Sequence, residues 1–278
     1  MLMRLRKTLS FACIAILFMF TLCSCQASPV STSQQNGTAG EENLPELKIG
    51  IDTLKPFMYV DKNGSYTGID ADTATEACKR AGFKPVFIEI PWADRDTYLE
   101  NGTVDCLWTA FAIDGREDAY LCTDPYVNSK EAFLVEDRSP SQSLEEFRGP
   151  GGVAVRANSK AEELMLSPGV LANDTSVHAY GTFDMAKTAF VKAYTDGLIG
   201  HRIVLSQVMD EYPGIYRFLD DNLATLHLGV AFPKEGSSSF DAINNALAGM
   251  KEDGSLAAII ANYDPDQTSL EVASDERH

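Results

Sequence analysis

From residue 47 onward the apolar positions switch repeatedly between two periods. Residues 47–51 read as a strand. Ala74, Ala77, Cys78 and Ala81 recur at i, i+3, i+4 and i+7, which marks one face of a helix that Asp70 is placed to cap and Gly82 to end. A strand over 85–90, a short helix before Asn101-Gly102 and strands over 104–108 and 133–136 complete a first alternating block. After Gly149-Pro150-Gly151-Gly152 a second block places strands at 153–155, 177–180 and 197–200, with helices from Ser159, over 183–193 and over 201–211. A return strand near 226–232 leads to two final helices, the first with Phe240, Ile243, Leu247 and Met250 on one stripe. Strands separated by helices predict an α/β architecture with mainly parallel sheets; two such blocks with helices left over predict two lobes, one completed by the C-terminal segment.

The start of the chain follows a different logic. Arg4, Arg6 and Lys7 precede a nearly unbroken apolar run over 9–22, shorter than the roughly 20 residues a membrane-crossing helix needs. A basic start, a short apolar core and a small-residue exit describe a signal peptide over residues 1–25. The exit, Leu22-Cys23-Ser24-Cys25, resembles the lipobox of bacterial lipoproteins, and that resemblance makes Cys25 the lipidated N-terminus of the mature chain. Plain secretion with cleavage nearby is the alternative. The Ser-, Thr-, Gln- and Gly-rich stretch over 26–45 suits a flexible tether. Removing Arg4, Arg6 and Lys7 takes the net charge from −17 to about −20, a balance that leaves nothing to neutralise phosphates and argues against nucleic acid as a partner. Once Cys25 is set aside, Cys78, Cys106 and Cys122 remain in the body, an odd number in apolar surroundings that reads as buried thiols. No His or Cys pair has metal-ligand spacing, so neither metal nor cofactor is expected.

Several segments together carry a family resemblance. Gly68-Ile69-Asp70-Ala71-Asp72, Asn101-Gly102-Thr103-Val104-Asp105, Gly115-Arg116-Glu117-Asp118, Asp124-Pro125-Tyr126, Leu228-Gly229-Val230-Ala231-Phe232-Pro233-Lys234 and Met250-Lys251-Glu252-Asp253-Gly254-Ser255 occur in the order and spacing found in bacterial extracellular solute-binding proteins for polar amino acids. The likeness runs from about residue 47 to 264. It implies the type II periplasmic-binding-protein-like fold, two α/β lobes joined by two hinge strands with a ligand in the cleft. Lobe 1 is then expected over 46–134 and 231–265, lobe 2 over 135–230, and a tail over 266–278, with hinges near 133–136 and 229–232.

The resemblance also implies a set of ligand-binding residues. Arg116 stands where the family's arginine takes the ligand's α-carboxylate, and a planar guanidinium fork matches that group. Taken alone, Arg116 would read as a surface turn residue. Asn158 and Ser159 open the first helix of lobe 2, where Ser159-Lys160-Ala161-Glu162 fits a capping box and the amide-rich helix start suits the same anion. Trp92 matches an aromatic that stacks on the ligand side chain, although a core tryptophan is an equal reading. Asp52 matches a side-chain contact, and the Thr109-Ala110 backbone would accept from an ammonium. Three departures stand out: Leu54 where an aromatic is expected, Ala112 in place of a hydroxyl residue, and His201 in place of the aspartate that neutralises the ligand's ammonium. A neutral imidazole supplies no negative charge and a protonated one repels a cation. His201 therefore points to an organic acid or modified amino acid, unless it merely caps the following helix and another acid, Asp52 or Asp114, serves the ammonium.

The expected function is that of a monomeric, membrane-anchored binding lipoprotein that carries an amino acid or related small carboxylate to an ABC permease at the outer face of the cell membrane. No catalytic residue is expected. Two other readings stay open: a secreted dehydratase-like enzyme on the same fold, and a degenerate receptor without a transport role.

Overall fold

The structure is a computed structural model that describes residues 44–172 and 174–274, all within one compact unit. The predicted signal peptide, Cys25 and nearly all of the linker lie outside the described residues.

The first stretch of chain forms β1 (Glu46–Ile51), the short hairpin strands β2 (Tyr59–Val60) and β3 (Tyr66–Thr67), α1 (Ile69–Ala81), β4 (Lys84–Glu89), α2 (Arg95–Glu100), β5 (Cys106–Leu107) and β6 (Tyr120–Cys122). The middle stretch forms β7 (Val127–Glu136), β8 (Val153–Arg156), α3 (Lys160–Leu166), β9 (Val177–Tyr180), α4 (Phe183–Val191), β10 (Gly197–His201), α5 (Arg202–Glu211) and β11 (Tyr216–Leu228). The chain closes with β12 (Ala231–Pro233), α6 (Phe240–Glu252), α7 (Ser255–Ala261) and β13 (Leu270–Val272).

Apart from the β2-β3 hairpin, these elements make two sheets, ordered β4-β1-β5-β12-β6 and β11-β7-β10-β8-β9, with β13 added to β7. Each sheet has a parallel centre: β1 with β4 and β5 in the first, β8 with β9 and β10 in the second. The strands around the passages between sheets are antiparallel: β12 to β5 and β6, and β7 to β10, β11 and β13. The sheets are thus mixed, with the antiparallel pairs made by the strands next to the crossings. Helices α1, α6 and α7 pack together beside the first sheet, while α4 and α5 cover the second. Ile49 and Ile51 of β1 and Leu198 of β10 are fully buried, each side chain contributing about 1.5–3 kcal/mol by leaving water.

The chain leaves the first sheet after Cys122 and joins the second at Val127; it returns between Leu228 and Ala231. The two passages run side by side, with the Thr123 N–H donating to the Val230 carbonyl (3.0 Å) and the Tyr126 N–H to the Leu228 carbonyl (2.9 Å). The first passage therefore lies at 123–126, ahead of the expected 133–136, since Phe133 sits inside the second sheet opposite Ile199 and Asp220. The polar residues Asn128, Ser129 and Lys130 conceal the first half of β7 in the hydropathy pattern. The segment expected to be a tail also differs: residues 270–272 form β13 on Val127, Asn128 and Ser129, and the Asp264 carboxylate holds the Ser269 and Leu270 N–H groups (2.9 and 2.8 Å). Residues 262–269 therefore make a third passage between the lobes.

Asp70 does not cap α1. Gly68 occupies that position at φ 123°, where a Cβ would lie 2.4 Å from the Phe57 carbonyl oxygen. The fully buried Asp70 carboxylate instead accepts from the Ala110 N–H (2.6 Å) and the Tyr126 hydroxyl (2.7 Å). Burial pushes its pKa up to about 6 against the pull of those two bonds. It ties the loop after β5 to the first interlobe passage.

Candidate functional site

A cavity lies between the two sheets. Leu54, Trp92, Ala110, Ala112 and Arg116 wall it from the first lobe; Glu131, Arg156, Asn158, Ser159, Lys160, Ala161, Phe183, Ile199, Gly200, His201, Val204 and Leu226 wall it from the second. Six of the eight sequence-expected ligand residues meet there: Trp92, Ala110, Arg116, Asn158, Ser159 and His201. Asp52 and Thr109 stand just behind the wall.

Arg116 follows the tight turn at Gly115 (φ 68°). Its guanidinium lies 5.0 Å from the Phe111 ring centroid and crosses the gap to the Asn158 carbonyl and the Glu163 carboxylate, both at 3.4 Å. Both contacts are long, and a guanidinium fork offers five donors, so Arg116 is available for a shorter, bidentate partner.

Across the gap, Asn158 adopts the left-handed conformation (φ 57°) that its side chain tolerates better than most. Half of the capping box forms: the Ser159 hydroxyl accepts from the Glu162 N–H (3.2 Å). The Glu162 carboxylate takes the Asn158 N–H (2.6 Å), one residue outside the usual box, so that amide is already engaged. Ser159, Lys160 and Ala161 continue the wall at the start of α3.

Trp92 is nearly buried and packs edge-on against Phe111, with ring centroids 5.9 Å apart. One face carries the Arg156 guanidinium, 4.7 Å from the ring centroid. Arg156, at the end of β8, is ion-paired with Asp52, which follows β1. Both are buried, at 8% and 7% exposure, so this pair bridges the lobes at the floor of the cleft. Desolvation raises the Asp52 pKa despite the nearby cation and lowers that of Arg156, which identifies burial as the dominant influence on both. The Thr109 hydroxyl accepts the Asp52 N–H (3.2 Å) and donates to the Trp108 carbonyl (2.7 Å); it positions Asp52. Ala110 lines the cavity in left-handed geometry (φ 42°), its N–H held by Asp70.

The His201 ring does not cap α5. Its Nδ1 pairs with the Ser129 hydroxyl (2.9 Å), and the ring lies 5.0 Å from that of Phe57. Burial and then the Arg156 charge push its pKa down to about 3, so the imidazole is neutral at physiological pH. Of the acids considered as substitutes for the missing aspartate, Asp52 is committed to Arg156. Asp114 accepts from the His227 main chain (2.9 Å) and lies 2.6 Å from His227 Nδ1, away from the wall.

Sequence reasoning missed Arg156 and Glu131. Arg156 ends an apolar strand and had no visible partner in the linear sequence. Glu131 sits in β7 directly before four apolar residues, a charge inside a strand that was the available signal. It is 2% exposed, its Oε2 has no hydrogen-bond partner among the described residues, and burial raises its pKa to about 8.

The profile of bacterial extracellular solute-binding proteins, family 3, matches residues 47–265. The L-cystine-binding protein TcyA of Bacillus subtilis (strain 168) is 24% identical over 268 residues, spanning 91% of this chain and 96% of that protein. The histidine-binding periplasmic protein of Escherichia coli (strain K12) is 22% identical over 239 residues, 82% of this chain and 91% of that protein. Among solved structures, Tv2483 bound to L-arginine superposes with a TM-score of 0.73 at 23% identity, over 81% of this chain and 92% of that one. The ancestral amino-acid-binding protein AncCDT-1, a precursor of cyclohexadienyl dehydratase, gives 0.69 at 25% identity, over 78% and 94%. With two mixed sheets flanked by helices, a cavity between them and a family match that spans most of its length, the chain belongs to the bacterial extracellular solute-binding proteins of family 3.

Proposed function

We propose that the protein is the binding component of an ABC importer and captures an amino acid or related small carboxylate between its lobes. The observation that carries this reading is the meeting of Arg116 with the start of α3 across one cavity. A carboxylate there gains a bidentate guanidinium from one lobe and helix-start amides from the other, so it stabilises the closed arrangement. The Asp52–Arg156 pair adds a second interlobe contact, and a permease would recognise the closed form. The lipobox-like Cys25 and the 26–45 tether suit a monomeric lipoprotein held at the outer face of the cell membrane.

Thermal-shift and calorimetric titration with the twenty standard amino acids and L-cystine test the reading. At least one should raise the melting temperature and bind, and Arg116→Ala should lose that binding while keeping its circular dichroism spectrum. Equal affinity in the variant rejects the assigned site.

The second reading is a dehydratase-like enzyme. The feature that favours it is the Glu131 carboxyl, a buried acid beside the cavity that holds its proton at neutral pH. Turnover of prephenate by the purified protein is its assay.

A further inference from the structure

Glu131 and His201 are register partners in the antiparallel pair of β7 and β10. Side chains directly opposite in such a pair stand on the same face of the sheet with Cβ atoms about 4.5–5.5 Å apart. Both residues line the interlobe cavity. A glutamate is one methylene longer than an aspartate, so a carboxylate on β7 reaches the space in front of the residue opposite it on β10.

The other charges of the wall already have partners. Arg156 is ion-paired with Asp52 through Nη2, its buried Nε having no partner among the described residues, and Lys160 is ion-paired with Glu163. Two groups remain: Arg116, whose two polar contacts are both long at 3.4 Å, and Glu131, whose Oε2 is buried without a partner among the described residues. A buried carboxyl oxygen left unpaired costs about 1–3 kcal/mol, and a donor that arrives in the cavity relieves that cost.

We propose that Glu131 binds the cationic nitrogen of the solute, and that the site is matched to a zwitterion carrying one carboxylate for Arg116 and one ammonium for Glu131. The acid missing at position 201 is thus supplied from the neighbouring strand, and the absence of an aspartate there does not exclude an amino acid. This rests on the solute-binding reading and specifies its ligand class. Burial, and then the nearby Arg156 charge, keep His201 neutral. Glu131 is the one acid among the described residues that line the cavity, so a second positive charge on the solute finds no counter-ion there. In the free protein Glu131 is protonated at neutral pH, so capture of an ammonium expels that proton.

The experiment uses the whole mature protein and matched probes: the standard L-amino acids and L-cystine, and for each binder the corresponding 2-hydroxy acid, which keeps the carboxylate and lacks the ammonium. The expected result is binding of an amino acid, with its 2-hydroxy analogue weaker by about 30-fold or more, and a comparable loss for the amino acid in Glu131→Gln. Calorimetry of the unaltered protein at pH 7 in phosphate and in Tris should report close to one proton released per amino acid bound, and this readout does not depend on the variant folding. Unchanged amino-acid affinity in a folded Glu131→Gln, or no proton release, overturns the role of Glu131 and leaves the carboxylate site standing. Tighter binding of the hydroxy acid overturns the zwitterion match in the same way. Binding of none of the probes rejects the solute-binding reading itself, and Glu131 with it.

Discussion

Glu131→Gln should make the solute-free protein more stable, by an amount that grows with pH. The wild-type carboxyl has a folded pKa of about 8 against an ordinary 4.5, and desolvation is the cause. Between those values the folded state binds a proton that the unfolded chain has released, so unfolding becomes easier as pH rises. The favourable contribution is complete below pH 4.5 and is lost by the time pH passes 8. At 1.36 kcal/mol per unit, the loss is about 3 kcal/mol at pH 7 and about 5 kcal/mol above pH 8. Glutamine has nearly the same shape and does not titrate, so the difference between the two proteins isolates this one group. Urea unfolding at intervals from pH 4 to 9, followed by tryptophan fluorescence and circular dichroism, measures it. A stability difference that stays flat across this range refutes the claim that Glu131 is buried without a charge partner.

Three other substitutions probe the surrounding contacts. Arg116→Ala removes one partner of a carboxylate contact worth about 2–5 kcal/mol, and calorimetry should show solute affinity reduced by roughly 30-fold to several thousand-fold with the melting temperature nearly unchanged. Asp52→Asn leaves the Arg156 guanidinium buried beside Trp92 without its counter-ion, which should cost about 3–5 kcal/mol of the closed form and appear in small-angle scattering as a more open molecule. Gly68→Ala forces a Cβ to within 2.4 Å of the Phe57 carbonyl at a φ of 123°, and chemical denaturation should show a loss of at least about 2 kcal/mol.

The legible parts of the molecule were those governed by local pattern. The face of α1 and its end at Gly82 (φ 77°) follow from residue spacing alone, as does the stripe on α6. Register and tertiary partnership were not legible. The long β11 was seen only at its end, because Asp220, Asp221 and Asn222 interrupt its alternation where the strand carries irregular register. Asp70 has the composition of a helix cap, yet its partners lie 40 and 56 residues away at Ala110 and Tyr126, beyond the reach of any local rule. The family likeness pointed to Arg116, Asn158 and Ser159, which face each other across one cavity, while Glu131 emerged only when the strand register set it beside His201.

The claim on which the rest depends is that one anionic group is shared by Arg116 and the turn at Ser159. A crystal structure of the protein with the amino acid that raises its melting temperature most would test it directly. The solute carboxylate is expected within about 3 Å of both the Arg116 guanidinium and the Ser159 turn. A carboxylate seated elsewhere, with Arg116 turned away from it, would contradict the account.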